Sequence, residues 1–275
     1  MGQTIACANQ KGGVGKTTTV VNLASYLALG GDRVLVIDLD PQGNGTSGLG
    51  VDRSKVERSM YDAIVDGVAL DRIVVQGTAE GVDLAPSAIA LAGADLELAG
   101  VTARERRLRR LVEPLAADYD VIFIDCPPSL GLLTVNALTA ADAVLIPLQC
   151  EYYALEGLTQ LLATIDLVRD HLNPQLALDG VVLTMYDART NLSADVAAEA
   201  RRHLGTSVYE TIIPRSVRLS EAPSHGLPIT RYAPESSGAT AYARLAHEFR
   251  VRSGRETAPA MRADTEARDA TMVMS

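Results

Sequence analysis

At 275 residues, 47% of them hydrophobic, the chain is long enough for one sizeable core, and its net charge of −9 excludes a protein that is basic throughout. No apolar run approaches the ~18 residues of a membrane span, and the first residues carry neither a charged leader nor a cleavage pattern, so neither a transmembrane segment nor a secretion signal is expected. The three cysteines, Cys7, Cys126 and Cys150, lie far apart without a C-x-x-C pair. Neither a disulfide framework nor a zinc site is expected, and a reducing cytosol fits.

In chain order, short β-branched runs alternate with longer helical patterns. The predicted strands are Thr4–Ala8, Arg33–Ile37, Val82–Ala85, Val121–Ile124, Ala143–Pro147, Gly180–Met185, Val208–Ile213 and Pro228–Thr230. The predicted helices lie near 16–30, 59–66, 89–99, 103–117, 131–140, 155–171, 192–204 and 235–251. This alternation predicts an α/β fold, a single P-loop-type domain over 1–251 with a mostly parallel twisted sheet and helices on both faces. Val34–Ile37 and Val121–Ile124 are apolar at every position, as strands covered on both faces are. Residues 252–275 lose apolar periodicity and read as a flexible tail.

The first strand runs into Asn9-Gln-Lys-Gly-Gly-Val-Gly-Lys-Thr-Thr18 and then a helical pattern. Strand, glycine-rich loop and helix N-terminus form the context of a phosphate-binding loop. Gly12, Gly13, Val14 and Gly15 would turn backbone N–H groups towards phosphate oxygens, and the helix start adds positive partial charge. Lys16 would reach the β- and γ-phosphates, the Thr17 hydroxyl would bind Mg²⁺, and Thr18 would touch the α-phosphate. Gln10 replaces the usual first glycine and Lys11 follows it, which makes this the deviant form of the Walker A loop. The chain has only three lysines (Lys11, Lys16 and Lys55) among its 25 basic residues. Two of them in one loop point to a need for a compact ammonium, which an arginine fork does not replace.

Two acidic positions complete the candidate site. Asp38 and Asp40 close the second strand, where ligands of open α/β sheets bind. Asp38 is expected to support the Mg²⁺ shell, and Asp40 to orient or deprotonate the attacking water. Asp125 follows four apolar residues, as in a Walker B strand, and is expected to hold a Mg²⁺-bound water. Pro127-Pro128 stiffens the next turn, which suits a switch that senses the γ-phosphate. Cys126 reads as a buried structural thiol.

With these blocks in place, the sequence resembles the ParA/Soj family of chromosome and plasmid partitioning ATPases over roughly residues 3–250. The resemblance also rests on Asp38-Leu-Asp-Pro-Gln-Gly-Asn44, Asp125-Cys-Pro-Pro-Ser-Leu-Gly131, Gln149-Cys-Glu-Tyr-Tyr-Ala-Leu-Glu-Gly157, Asp187-Ala-Arg-Thr-Asn191 and Ile213–Gly226. The chain opens at the first strand, like the short chromosomal members. The resemblance implies an ATP-sandwiched homodimer in which Lys11 crosses to the partner's phosphates. It also implies sequence-independent binding of double-stranded DNA, and hydrolysis stimulated by a ParB (Spo0J-like) partner that releases the DNA. A cytoplasmic protein, nucleoid-associated when ATP-bound, follows. Base recognition would fall on Met185 and Pro214–Ser216. Ser216 stands where many members carry Asn, and its hydroxyl is shorter than an amide.

DNA binding by an acidic chain needs a local basic surface. Between Arg201 and Arg231 there are five arginines (201, 202, 215, 218 and 231) and two acids (Glu210 and Glu221), a net of +3. Arg189 and Arg218 are the leading candidates. Arg231 joins them, and Arg215 serves either the DNA or the nucleotide. The cluster Arg104, Arg106, Arg107, Arg109 and Arg110 would spread around a helix rather than form a stripe. Two other classes share the loop. A MinD-type membrane-associated positioning ATPase needs an amphipathic C-terminal helix, a pattern 252–275 does not carry, so no stable membrane association is expected. An iron–sulfur reductase needs spaced cluster cysteines, which Cys126 and Cys150 do not supply.

Overall fold

The structure, a computed structural model, describes residues 2–151 and 154–256. Among these, seven strands form one sheet: β1 Gln3–Cys7, β2 Val34–Asp38, β3 Asp83–Ala85, β4 Val121–Asp125, β5 Ala143–Gln149, β6 Ala177–Tyr186 and β7 Val208–Pro214. Their order is β3-β2-β4-β1-β5-β6-β7, and every pair is parallel. The chain leaves β1 for one half of the sheet through β2 and returns to the other half through β5. The switch point, where such sheets bind ligands, therefore lies at the carboxyl end of β1.

The helices are α1 Lys16–Leu29, α2 Asn44–Gly48, α3 Met60–Ile64, α4 Ala94–Glu97, α5 Arg107–Val112, α6 Leu132–Ala140, α7 Ala154–His171, α8 Asn191–Leu204, α9 Val217–Glu221, α10 Ile229–Tyr232 and α11 Ser237–Arg252. The central strands alternate their side chains between two cores. Ala6, Leu35, Ile37, Ile122 and Ile124 face one core with Leu108 of α5, Leu133 of α6 and Leu161 of α7. Ile5, Cys7, Val34, Val36, Val121 and Phe123 face the other with Leu23 and Leu27 of α1 and Tyr242, Leu245 and Phe249 of α11. This is why those strands read as unbroken apolar runs: both faces are buried. Phe123 and Phe249 meet at a ring-centroid distance of 5.8 Å, a tilted contact that fastens α11 beneath β4.

The free edge of β7 is blocked by α11. The backbone N–H groups of Glu210 and Thr211 each donate to the Glu248 carboxylate at 2.8 Å. Arg252 donates to the carbonyls of Thr206 and Val208. A charged helix thus occupies groups that would otherwise pair with another strand.

Several expectations need correction. Pro228–Thr230 is not a strand: Pro228 (φ −68°) caps α10, and the N–H groups of Arg231 and Tyr232 turn back to its carbonyl. The ring's fixed φ suits a helix start as well as a strand edge, and the hydrogen bonds decide. The helix expected at 89–99 is a 3-10 turn, Ile89–Gly93, leading into α4, and that expected at 103–117 is α5 between two 3-10 turns. Ala103, in the left-handed region at φ 54°, and Pro114 interrupt the latter. Helices α2 and α9 were not expected, because Asn44-Gly-Thr-Ser-Gly48 and Val217–Glu221 are too short to show a period. Of the expected tail, Arg252 ends α11 and Arg255 donates to the Asp120 carbonyl. Positions 257–275 lie outside the described residues.

Candidate active site

The loop between β1 and α1 is shaped by two glycines in the left-handed region, Gly13 (φ 75°) and Gly15 (φ 91°), which a side chain would strain. It is anchored from behind. Asn9 donates to the Pro147 carbonyl at 2.8 Å and accepts from the Lys11 N–H at 3.0 Å. The Thr184 hydroxyl donates to the Val14 carbonyl at 2.8 Å. Lys16 is 6% exposed and folds across the loop, its ammonium donating to the Lys11 carbonyl at 3.2 Å. Lys11 points the other way, to the surface, where it meets Glu151 at 3.2 Å. The two lysines that look alike in sequence therefore serve opposite sides of one loop.

Two adjoining cavities open here. One, about 430 Å³, is lined by Gly12, Gly13, Gly15, Lys16, Thr17, Thr18, Asp40 and Met185, joined by Asn22, Gln42, Asn44, Pro128, Pro223 and Leu227. The second, about 510 Å³, shares Gly15, Thr18, Met185 and Pro223 with the first and adds Pro214, Arg215, Ser216 and Tyr242. Gly15 and Thr18 of the loop thus line both cavities, one of which also takes in Lys16, Thr17 and Asp40. Met185 sits at the junction in the left-handed region (φ 51°), which non-glycine residues seldom adopt and which Glu80 and Ala103 also hold among the described residues.

Beneath the loop, Asp38 and Asp125 are paired in register on adjacent strands and are completely buried. Asp38 accepts from the Thr46 N–H at 2.7 Å, the Thr46 hydroxyl at 2.8 Å and the Asp40 N–H at 3.2 Å. Burial pushes its carboxyl up to about 6, with the Thr46 hydrogen bonds pulling back. Asp125 has no such support: among the described residues neither carboxylate oxygen finds a hydrogen-bond partner. Burial first, and the neighbouring Asp38 second, push its pKa well up. The Thr17 hydroxyl and the Lys16 ammonium offset this in part, without a hydrogen bond of ordinary geometry. Asp40 is 7% exposed at the cleft wall, where it accepts from the Gln42 N–H at 2.9 Å.

A hydroxyl beside a buried, unpartnered carboxylate is a hard oxygen donor set that suits Mg²⁺ held largely through water and phosphate. Among the described residues no cluster of three or more acidic, His or Cys side chains forms a closed metal cage. The cysteines have no reactive role visible here: all three are free and buried, and burial raises each thiol, that of Cys150 to about 11.

The candidate DNA arginines lie near the carboxyl ends of β6 and β7 or on the helices that follow. Each has a carboxylate of its own chain beside it. Arg189 forms a two-pronged pair with Asp187 at 2.8 and 2.7 Å. Arg218 meets Glu221 at 3.0 Å, Arg231 meets Glu80 at 3.1 Å and Arg215 meets Glu151 at 3.6 Å. A count confined to 201–231 missed two of these acids, Glu80 and Glu151, because the fold brings them from elsewhere. Sequence reasoning also assigned no role to Thr46, Glu151, Asn9 or Asn22. Asn9 and Glu151 stood inside recognised blocks; Thr46 and Asn22 carried no local signal.

Loop, switch-point sheet and paired acids define a P-loop nucleoside triphosphatase with a second lysine in its phosphate loop. The AAA domain family matches residues 2–178. The chain is 57% identical to the sporulation initiation inhibitor protein Soj of Bacillus subtilis over 248 residues, 90% of this chain and 98% of that one. It is 51% identical to the chromosome partitioning protein ParA of Caulobacter vibrioides, covering 89% of this chain and 92% of that one. Among solved structures it resembles a Mycobacterium smegmatis protein named cobyrinic acid a,c-diamide synthase, with bound ADP and magnesium. The TM-score is 0.81 at 40% identity, over 94% of this chain and 98% of that one. The chain belongs to the ParA/Soj family of chromosome partitioning ATPases.

Proposed function

We propose that this chain is an ATP-driven DNA segregation switch. It binds ATP with Mg²⁺, closes into a nucleotide-sandwiched homodimer, and in that form binds double-stranded DNA without reading sequence. A ParB-type partner then stimulates hydrolysis, the dimer parts, and DNA is released, so that chromosome or plasmid origins are partitioned. The protein would be cytoplasmic and gather on the nucleoid when ATP-bound.

The observation that carries this reading is the divergence of the two loop lysines, Lys16 inward over the cleft and Lys11 outward at the surface. Lys16 would bind the β- and γ-phosphates of its own nucleotide, with Gly12, Gly13, Val14, Gly15 and Thr18 around them. Lys11 would be presented to a second subunit and stabilise charge on that subunit's transferring phosphoryl group. Asp40 borders the same cleft, where it would hold the water for attack. Thr17 would bind Mg²⁺ directly and Asp125 would hold a water on the ion, with Asp38 supporting that shell; the ion, when bound, would neutralise charge on the phosphate oxygens. Met185, Pro214, Arg215 and Ser216 would hold the base end. Arg189, Arg218, Arg215 and Arg231 would meet DNA phosphates, giving affinity without sequence readout.

The synthase name of the mycobacterial neighbour suggests another activity. Amide synthesis through a thioester would need an accessible thiol, and Cys7, Cys126 and Cys150 are all buried with raised pKa. Binding of a random-sequence duplex with ATP, with ADP and without nucleotide, beside an Asp40→Ala variant, tests the switch. ATP-dependent binding that persists in the variant is expected; binding indifferent to nucleotide refutes it.

A further inference from the structure

Glu151, at the exit of β5, has a role that neither the loop motif nor the cleft explains. Its Oε2 meets the Lys11 ammonium at 3.2 Å, and its Oε1 lies 3.6 Å from the Arg215 guanidinium. The buried Gln149 amide donates to the same Oε1 at 2.6 Å and fixes the direction of the carboxylate. The backbone tightens the geometry further, since the Glu151 N–H turns back to the Gln149 carbonyl at 2.8 Å and Asn9 ties the loop entrance to Pro147 of β5. One carboxylate thus restrains two cations, one on the phosphate loop and one at the end of β7.

We propose that Glu151 is a positioning residue that latches Lys11 within its own subunit and sets the threshold for dimer closure. The proposal rests on the reading that Lys11 crosses to a partner's nucleotide. In the proposed exchange the Lys11 ammonium leaves the Glu151 carboxylate of its own subunit for the partner's phosphates, so closure breaks the Lys11–Glu151 pair. The exchange is feasible because the pair is partly hydrated, with side chains 40% and 43% exposed. A pair of that exposure shifts an equilibrium by about two- to fivefold, whereas a triphosphate presents several charges to the same ammonium. Two latches open per dimer, so the factor enters the dimer Kd twice, about four- to twenty-fivefold in all. The latch makes assembly depend on nucleotide in the approaching subunit and suppresses closure without it.

The test uses Glu151→Gln, which keeps the side-chain length and removes the charge. Lys11, Lys16 and Lys55 are the only lysines, so acylation followed by mass spectrometry reads each one separately. In the nucleotide-free chain, Lys11 in E151Q should label about two- to fivefold faster than in the native protein, with Lys55 unchanged as the internal standard. In an Asp40→Ala background at saturating ATP, E151Q should tighten the dimer Kd by about four- to twenty-fivefold, read by sedimentation. Unchanged Lys11 labelling overturns the latch. So does a dimer that is unchanged or weakened by E151Q, which would mean that Glu151 serves the closed state instead. A D40A chain that stays monomeric with ATP overturns the dimer reading itself, and with it the consequence proposed for Glu151.

Discussion

Asp38 and Asp125 stand side by side at the ends of adjacent parallel strands, and both carboxylates face the Cα of Gly45. A Cβ added there would lie 3.0 Å from one Asp38 oxygen and 3.3 Å from one of Asp125. Asp38 is held by Thr46, whereas neither Asp125 oxygen has a hydrogen-bond partner among the described residues. The asymmetry gives two adjacent acids different surroundings: one shapes the turn that carries Asp40, and the other is the acid proposed to support Mg²⁺.

That arrangement predicts a pH dependence in the absence of Mg²⁺ and nucleotide. An unfolded Asp38 loses its proton near 3.8, the folded one near 6. Between those values the folded state holds more protons, so stability falls as pH rises through the window, on the order of 2–3 kcal/mol. Urea titrations at pH 4.5 and 7.5 should show this loss. Asp125→Asn should raise stability at pH 7.5 by about 1–3 kcal/mol and abolish the further gain that Mg²⁺ with ADP gives the native chain. Native-like Mg²⁺ stabilisation in the variant would remove Asp125 from the metal site.

The lysines should separate binding from catalysis. Lys16→Ala removes the buried ammonium and should weaken ATP binding about ten- to a hundredfold, measured with a fluorescent analogue. Lys11→Ala should retain binding through Lys16 and lose partner-stimulated hydrolysis by about a thousandfold or more, as when a trans cation is withdrawn from phosphoryl transfer. Equal loss of binding in both variants would place Lys11 on its own subunit's nucleotide.

DNA affinity should report the intrachain pairing of the arginines. Arg189→Ala or Arg218→Ala should reduce the slope of log K against log salt by about one while leaving ATP binding intact. Asp187→Asn frees Arg189 from its two-pronged partner and should strengthen binding several-fold at low salt. Weaker binding by D187N would show that the pair holds Arg189 in its DNA-facing pose.

Asn22 joins the nucleotide helix to the elements after it. Its side chain donates to the Thr18 carbonyl at 2.8 Å and accepts from the buried Ile229 N–H at 2.7 Å. Asn22→Ala strands that N–H and should cost about 1–3 kcal/mol in chemical denaturation. A cost below 0.5 kcal/mol, on the scale of an ordinary surface change, would mean that α10 finds another acceptor.

Much of the architecture was legible in one dimension. Val34–Ile37 and Val121–Ile124 announced buried parallel strands because a strand covered on both faces has no polar alternation. The glycine and lysine spacing from Lys11 to Thr18 announced a phosphate loop because backbone N–H groups converge only where side chains are absent. Pro228 misled because its fixed φ serves a strand edge and a helix start equally, and only the hydrogen bonds to its carbonyl separate the two. Helix α2 was hidden because five residues cannot display a helical period.

What the sequence determined by itself was therefore local: the central strands, the glycine-rich loop that carries Lys11 and Lys16, the positions of Asp40 and Asp125 at strand ends, and the family. Tertiary structure decided which distant groups meet. Glu151 reaches Lys11 across 140 positions, Glu80 reaches Arg231 across 151, and Asn22 reaches Ile229 across 207. The physical reason is that a parallel sheet sets its strand order by crossovers, so residues remote along the chain share one end of the sheet. Charge summed along the sequence showed a basic stretch; charge summed in space shows arginines already paired with acids.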